Sequence, residues 1–251
     1  MTILTWMYGV LGLVIGSFLN VCIDRIPLDQ SISNPPSRCP HCEKRIASYD
    51  LIPVISYLVL GGRCRNCKEK IPFRVFFVEL LTGLVFTLVW SRFGQSWQTL
   101  VVSIYCSLLI VIAFIDLEHR KVLNLLVFPA IWIALIMVPV LHFENFWSYL
   151  AAGVAGFAVL FLISVIRPGA MGMGDVKLIV FLGLITGFPD IILLLFLAFV
   201  LGGLIAGFLL LLKKINRKDS IAFGPFLALA GFIVLLYGDQ ILAWWTRMAS
   251  G

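Results

Sequence analysis

Charge is what this chain has least of. Asp, Glu, Lys and Arg together make up 13% of its 251 residues, while 61% are hydrophobic, against roughly 45 to 50% in soluble domains. A water-soluble globule is thereby excluded, and the chain is expected to be an integral membrane protein. Long polar stretches are missing too: outside residues 24–73 no segment is long enough for a subdomain beyond the bilayer. The first apolar run has no basic region before it and no Ala-x-Ala site after it. It is therefore expected to stay as a helix rather than to be removed as a signal. No internal repeat is visible, which counts against the inverted halves of a secondary transporter.

What is present is a series of apolar runs of membrane length. About 20 consecutive apolar residues cross the hydrocarbon as a helix, because every backbone N–H and C=O must be bonded within the segment. Eight runs qualify: 3–23, 74–91, 98–115, 122–141, 147–166, 176–188, 190–212 and 221–245. The sixth is short, and only Phe188-Pro189-Asp190 separates it from the seventh, so a tight hairpin or a re-entrant piece is an alternative to a full crossing. With residues 24–73 in the cytoplasm and the spans alternating, 17 of the 19 Lys and Arg residues fall inside, leaving only Arg92 and Arg247 outside. Such asymmetry sets the topology and puts both termini outside. The net charge of +6 then implies no nucleic-acid partner, since a basic loop beside an anionic leaflet accounts for it.

Residues 24–73 shift abruptly to Pro, charged residues and four cysteines. A segment of about 50 residues buries little core and needs a staple. Cys39-Pro40-His41-Cys42 and Cys64-Arg65-Asn66-Cys67 are two C-x-x-C knuckles with 21 residues between Cys42 and Cys64. Four thiolates in this pattern make a closed tetrahedral zinc site. Two disulfides are the alternative, disfavoured in a reducing cytoplasm. His41 reads as a solvated neighbour, and Cys22 and Cys106, in apolar runs, as small buried hydrophobes.

Ionisable residues within spans are costly, so their positions are informative. Asp116 closes the third run, and Asp175 opens the sixth within Gly172-Met173-Gly174-Asp175, so both sit at the same membrane rim. Gly169, Gly172 and Gly174 let the backbone bend or approach another chain closely, as an opening for a substrate requires. Two carboxylates held together cannot both ionise comfortably, so one keeps a proton while the other is charged. The charged member activates water; the neutral one hydrogen-bonds the scissile carbonyl and helps protonate the leaving nitrogen. Amide hydrolysis by such a pair needs no metal. The competing reading makes both residues solvated helix ends or partners of Arg120, Lys121 or Lys177, with Asp175 favoured by its helix dipole.

Other polar residues carry weaker signals. Glu79 either pairs with Arg74 or faces a substrate cavity, while Ser17 and Asn20 suit helix–helix hydrogen bonding. Asn124 is either a helix cap or a partner for the Asp116 region. Gly202, Gly203 and Gly207 suggest close helix contact in the seventh span, and Trp244 and Trp245 suit the interface.

Taken together, these residues resemble the prepilin peptidases, or type IV leader peptidases, over nearly the whole chain. The likeness is carried by Gly16-Ser17-Phe18-Leu19-Asn20-Val21 with Arg25-Ile26-Pro27, by both knuckles, and by Val78-Glu79-Leu80-Leu81-Thr82-Gly83. It continues in Ala113-Phe114-Ile115-Asp116-Leu117-Glu118, Gly172-Met173-Gly174-Asp175-Val176-Lys177 and Phe223-Gly224-Pro225-Phe226-Leu227-Ala228. A lone G-x-G-D would also fit presenilin-like proteases; several motifs in order are specific. The resemblance implies that Asp116 and Asp175 are the catalytic pair. It implies a prepilin or pseudopilin substrate, cut after a glycine where a basic cytoplasmic leader meets an apolar helix. It also implies that many members methylate the new N-terminus with S-adenosylmethionine, although no soluble methyltransferase signature is present. Where the family often has Pro-Asp or Pro-Asn, this chain has Leu123-Asn124.

The combined expectation is an all-α polytopic membrane protein of about eight transmembrane helices with a small cysteine-stapled cytoplasmic subdomain. Residues 1–23 are the first helix, 24–73 a zinc-ribbon-like loop, and 74–251 the aspartic peptidase portion of a bacterial inner-membrane enzyme. Asp116 and Asp175 are the catalytic candidates; Gly172, Gly174, Lys177, Glu79 and Asn20 support the substrate or active site; Cys39, Cys42, Cys64 and Cys67 hold the metal. Expected cofactors are structural zinc and, by resemblance only, S-adenosylmethionine. The competing classes are a secondary transporter and a noncatalytic pilus or secretion assembly factor.

Overall fold

A computed structural model describes residues 3–167, 171–214 and 222–249. The chain divides into two compact units, Met1–Val111 and Ile112–Gly251. The described residues are helical, with two isolated β-bridges and no sheet.

The first unit contains α1 (Ile3–Arg25), the short α2 (Ile55–Val59), α3 (Phe73–Phe93) and the first part of α4 (Trp97–His119). In α1 and α3 the partners are antiparallel: Gly9 meets Thr87, Gly12 meets Gly83, Gly16 meets Glu79, and Asn20 meets Val75. Glycine makes this approach possible, because a Cβ on Gly12 would lie 2.8 Å from the Thr82 carbonyl oxygen and 2.9 Å from the Gly83 Cα. Lipid tails are as apolar as leucine, so close van der Waals packing at small residues, rather than exclusion of apolar surface, joins such helices. Consistent with this, the opposite face of α1 leaves Ile3, Met7, Val10 and Val14 exposed.

The second unit holds the end of α4 with α5 (Asn124–Leu141), α6 (Phe146–Ile166), α7 (Met173–Thr186), α8 (Asp190–Leu211) and α9 (Gly224–Ala249). Seven helices among the described residues are long and apolar enough to cross a membrane, and α7 is not among them. Its 14 residues reach about 21 Å at 1.5 Å per residue, short of the roughly 30 Å hydrocarbon. The expected sixth span is thus a real helix of less than membrane length. Ten of its 14 residues are buried, from Asp175 to Thr186, and it packs against α5, α6 and α9. A helix jacketed by protein has no need to match the bilayer. Gly187, at φ +75°, ends it.

The close approach in this unit falls elsewhere than the glycines of the seventh run suggested. Gly203 and Gly207 have open space where a Cβ would go. The tight site is Gly183 on α7, where a Cβ would lie 2.6 Å from both the Ala152 carbonyl oxygen and the Gly153 nitrogen of α6. Those neighbours are backbone and cannot swing aside. Gly183→Ala is therefore expected to lose about 1–3 kcal/mol to overpacking, and Gly207→Ala to stay within about 0.5 kcal/mol of the parent. Thermal unfolding of the detergent-solubilised variants checks both.

Candidate functional site

Asp116 lies in the last turn of α4, which ends where Arg120 adopts φ +52°. The following turn carries Val122 to the start of α5. Asp175 is the third residue of α7, whose first turn is entered through extended Gly172. Both aspartates are buried, at 4% and 7% exposure, so neither is a solvated helix end. Lys177 does not serve as their counter-ion either. Its ammonium donates to the Asn124 Oδ1 at 2.9 Å and sits 5.3 Å from the centre of the Phe128 ring. That contact also settles Asn124, whose oxygen holds Lys177; the residue preceding α5 is Leu123, which offers no side-chain cap.

Two glycines and one valine bring the carboxylates into a common site. Gly224, the first residue of α9, donates its N–H to the Asp116 Oδ2 at 3.0 Å. A Cβ there would lie 2.6 Å from that oxygen and 3.4 Å from the Val122 side chain. Gly174 rests on the other side of Val122, where a Cβ would come within 2.6 Å of the Val122 Cβ. Asp175 folds back over Gly172, its Oδ2 3.3 Å from where a Cβ would sit. Its buried Oδ1 has no hydrogen-bond partner among the described residues. The Asp116 charge reaches Asp175. The site therefore offers one carboxylate fixed by a backbone N–H and a second with an oxygen free to engage another molecule.

Asp116, Asp175, Gly172, Gly174 and Lys177 thus belong to one constellation, while Val122 and the Gly224 N–H were missed in the sequence. The sequence signal for Gly224 was its place in Phe223-Gly224-Pro225-Phe226-Leu227-Ala228, one of the motifs that carry the resemblance. Gly224→Ala tests it: the displaced atom is the end of a movable side chain, so the fold should survive. Any turnover that depends on the pair should fall on the order of 10²-fold, as misplacement by about 1 Å can cost. Turnover measured beside a thermal melt separates the two effects.

Asn20 and Glu79 lie in the first unit, on α1 and α3. Glu79 accepts the Val54 N–H at 2.7 Å, and Arg74 pairs instead with Asp24. Cys22 and Cys106 are buried, as expected.

The four loop cysteines converge. Their sulfurs all lie within 4.8 Å of one another, and all four are free thiols. The two knuckles repeat the same turn. Cys39 N–H bonds the Lys44 carbonyl and the Glu43 N–H returns to the Cys39 carbonyl, at 3.1 and 2.9 Å; Cys64 does the same with Glu69 and Lys68, at 2.8 and 3.0 Å. Glu43 and Lys68 share a left-handed φ of 56° and 62°. Backbone N–H groups of Cys67 and then Asn66 pull the Cys64 thiol down to about 6. A tetrahedron with 2.3 Å metal–sulfur bonds has an edge of about 3.8 Å, and the Cys39 and Cys67 sulfurs are 3.7 Å apart. The four residues fit a structural metal. Arg65 braces the second knuckle through bonds of 2.6 to 3.1 Å to Asp50, which hold the Asp50 carboxyl below its ordinary range.

Known proteins resemble this chain over nearly its whole length. Residues 10–93 match the Bacterial Peptidase A24 N-terminal domain and residues 103–207 the Type IV leader peptidase family. The chain is 34% identical to the prepilin leader peptidase/N-methyltransferase of Stutzerimonas stutzeri, over 96% of this chain and 93% of that protein. It is 31% identical to the protein of the same name in Bacillus subtilis (strain 168), over 96% of this chain and 98% of the relative. A third, in Neisseria gonorrhoeae, is 33% identical over 94% and 93% of the two chains. No solved structure matches. A buried aspartate pair on a multi-pass helical scaffold, a four-thiol cluster, and relatives alike along almost their whole length place this chain in the type IV leader peptidase family.

Proposed function

We propose that this protein is an aspartic endopeptidase of the bacterial inner membrane that removes the short basic leader of prepilins or pseudopilins. The observation that carries the reading is the pair of buried aspartates, one held by the Gly224 N–H and the other next to Gly174, with both glycines packed on Val122, and an Asp175 oxygen without a partner among the described residues. Like charges so placed favour a state in which one carboxyl keeps a proton. The ionised member takes a proton from water as it attacks the scissile carbonyl, and the protonated member hydrogen-bonds the carbonyl oxygen and later protonates the leaving nitrogen. The proton belongs to the coupled pair rather than to either residue. Gly174 lets Val122 pack directly on the start of α7 and Gly172 lets the Asp175 carboxylate fold back over the backbone, while Lys177 ties the start of α7 to α5 through Asn124.

In this reading the site opens on the cytoplasmic face, where the basic residues concentrate. Residues 1–23 anchor a cytoplasmic loop, 24–73, stapled by zinc on Cys39, Cys42, Cys64 and Cys67, and residues 74–251 carry the peptidase. The relatives' shared name supports a second activity, N-methylation of the new N-terminus with S-adenosylmethionine. Co-expression with a model prepilin, followed by intact mass of the product, tests both. Loss of the leader is expected, with a methyl-sized increment for the second activity; an uncut prepilin overturns the reading.

A further inference from the structure

The proteolytic reading leaves Asn20 and Glu79 without a task. Each is only 5% exposed, and each lies in a helix of membrane-spanning length and hydropathy. Because Gly16 faces the Glu79 backbone and Asn20 faces Val75, the two positions lie one helical turn apart along the seam, near the end of α1 and the start of α3. The Asn20 amide nitrogen donates to the carbonyl oxygens of Gly16 and Val75, at 3.3 and 3.0 Å. Those two acceptors fix the orientation of the amide, since its own oxygen would be repelled at either position. The oxygen is thereby aimed elsewhere, buried and without a donor among the described residues. The Glu79 carboxylate accepts from the Val54 N–H at 2.7 Å, with the Ser17 hydroxyl near it, both neutral groups.

A buried acceptor without a donor and a buried carboxylate held only by neutral groups are both costly. One kind of group relieves both: a cation that carries several N–H donors. A water molecule would supply donors and leave the charge uncompensated. A hard metal ion asks for about six oxygens, more than this place offers.

We propose that Glu79 and Asn20 form a recognition site for a primary ammonium group, the one exposed at the substrate's new N-terminus when the leader is removed. The identity of that ligand rests on the peptidase reading above. An ammonium brings one positive charge to one carboxylate, with an N–H to spare for the Asn20 oxygen. It stands at the head of an apolar segment, which suits a site at the end of two lipid-embedded helices. An amine held there is also presented for the methylation named in the relatives.

The test is a binding measurement on the whole protein in lipid nanodiscs. The probes are a synthetic peptide copying a leaderless pilin N-terminus with a free amine, and its N-acetylated twin. Charge-assisted hydrogen bonds predict that wild-type protein prefers the free amine by about tenfold or more. Glu79→Gln retains the volume and an oxygen for the Val54 N–H, so it should erase the preference by removing the charge alone. Equal binding of both peptides to wild type, or a preference that survives Glu79→Gln, overturns the proposal. A measurement free of any variant is the pH series: the preference should fade as pH rises past about 8, the ordinary range of an α-amine. A preference unchanged well above that pH also overturns it. Leader removal by wild type is read separately, so its absence counts against the peptidase reading and the binding ratio against this one.

Discussion

Asp116→Asn or Asp175→Asn is expected to lower leader removal by on the order of 10²- to 10⁴-fold, the range that a positioned acid or base contributes, with expression and membrane insertion retained. The substitution isolates the proton. Asparagine matches aspartate in size and keeps an oxygen that can accept the Gly224 N–H now bonded to Asp116, so the packing at Val122 has no reason to change. What is lost is the ability to take a proton from water or to return one to the leaving nitrogen. Because the two residues act as a unit, the double variant should be little worse than either single one. Single-turnover cleavage of a purified prepilin, followed by intact mass, measures the effect. Cleavage at a near-parental rate by either variant would refute the pair.

The second large effect concerns the metal. Purified protein is expected to contain one zinc per chain, and Cys39→Ser or Cys64→Ser to contain almost none. Four sulfurs within 4.8 Å of one another repel as thiolates unless a cation lies among them. Binding of structural zinc is worth about 10–16 kcal/mol in small domains, more than a core of about 50 residues supplies. Metal loss should therefore melt the loop and open residues 36–71 to proteolysis, while the membrane helices stay folded. Elemental analysis beside free-thiol titration decides the matter. Absence of metal together with two disulfides would overturn the zinc reading and, with it, the placement of the loop in a reducing compartment.

Much of this architecture is written locally. Hydropathy located the spans because a lipid-facing helix must satisfy its backbone within one continuous segment, and α1, α3, α4, α5, α6, α8 and α9 follow. Hydropathy gave α7 as a short run but not its surroundings, since a helix surrounded by protein is as apolar as one surrounded by lipid. Of the α8 glycines only Gly202 has a close neighbour, the Phe223 and Phe226 rings at 3.3 and 3.4 Å from where a Cβ would sit: composition shows that a helix can be approached closely, not where along it the neighbour comes. Gly183 makes the tight backbone contact, and Gly203 and Gly207 do not.

By itself the sequence determined the membrane class, the paired knuckles and both aspartates, because each is carried by neighbouring residues: an apolar run, a C-x-x-C spacing, an acid at the end of a span. Only the tertiary structure decided what those groups meet. The N–H that holds Asp116 comes from Gly224, 108 residues away, and Val122 separates Gly174 from Gly224 because three chain segments converge on it. The Asn20 oxygen lacks a donor because carbonyls from two helices claim its amide. Such partners follow from how helices cross, and crossing is a property of facing surfaces that no single stretch of chain contains.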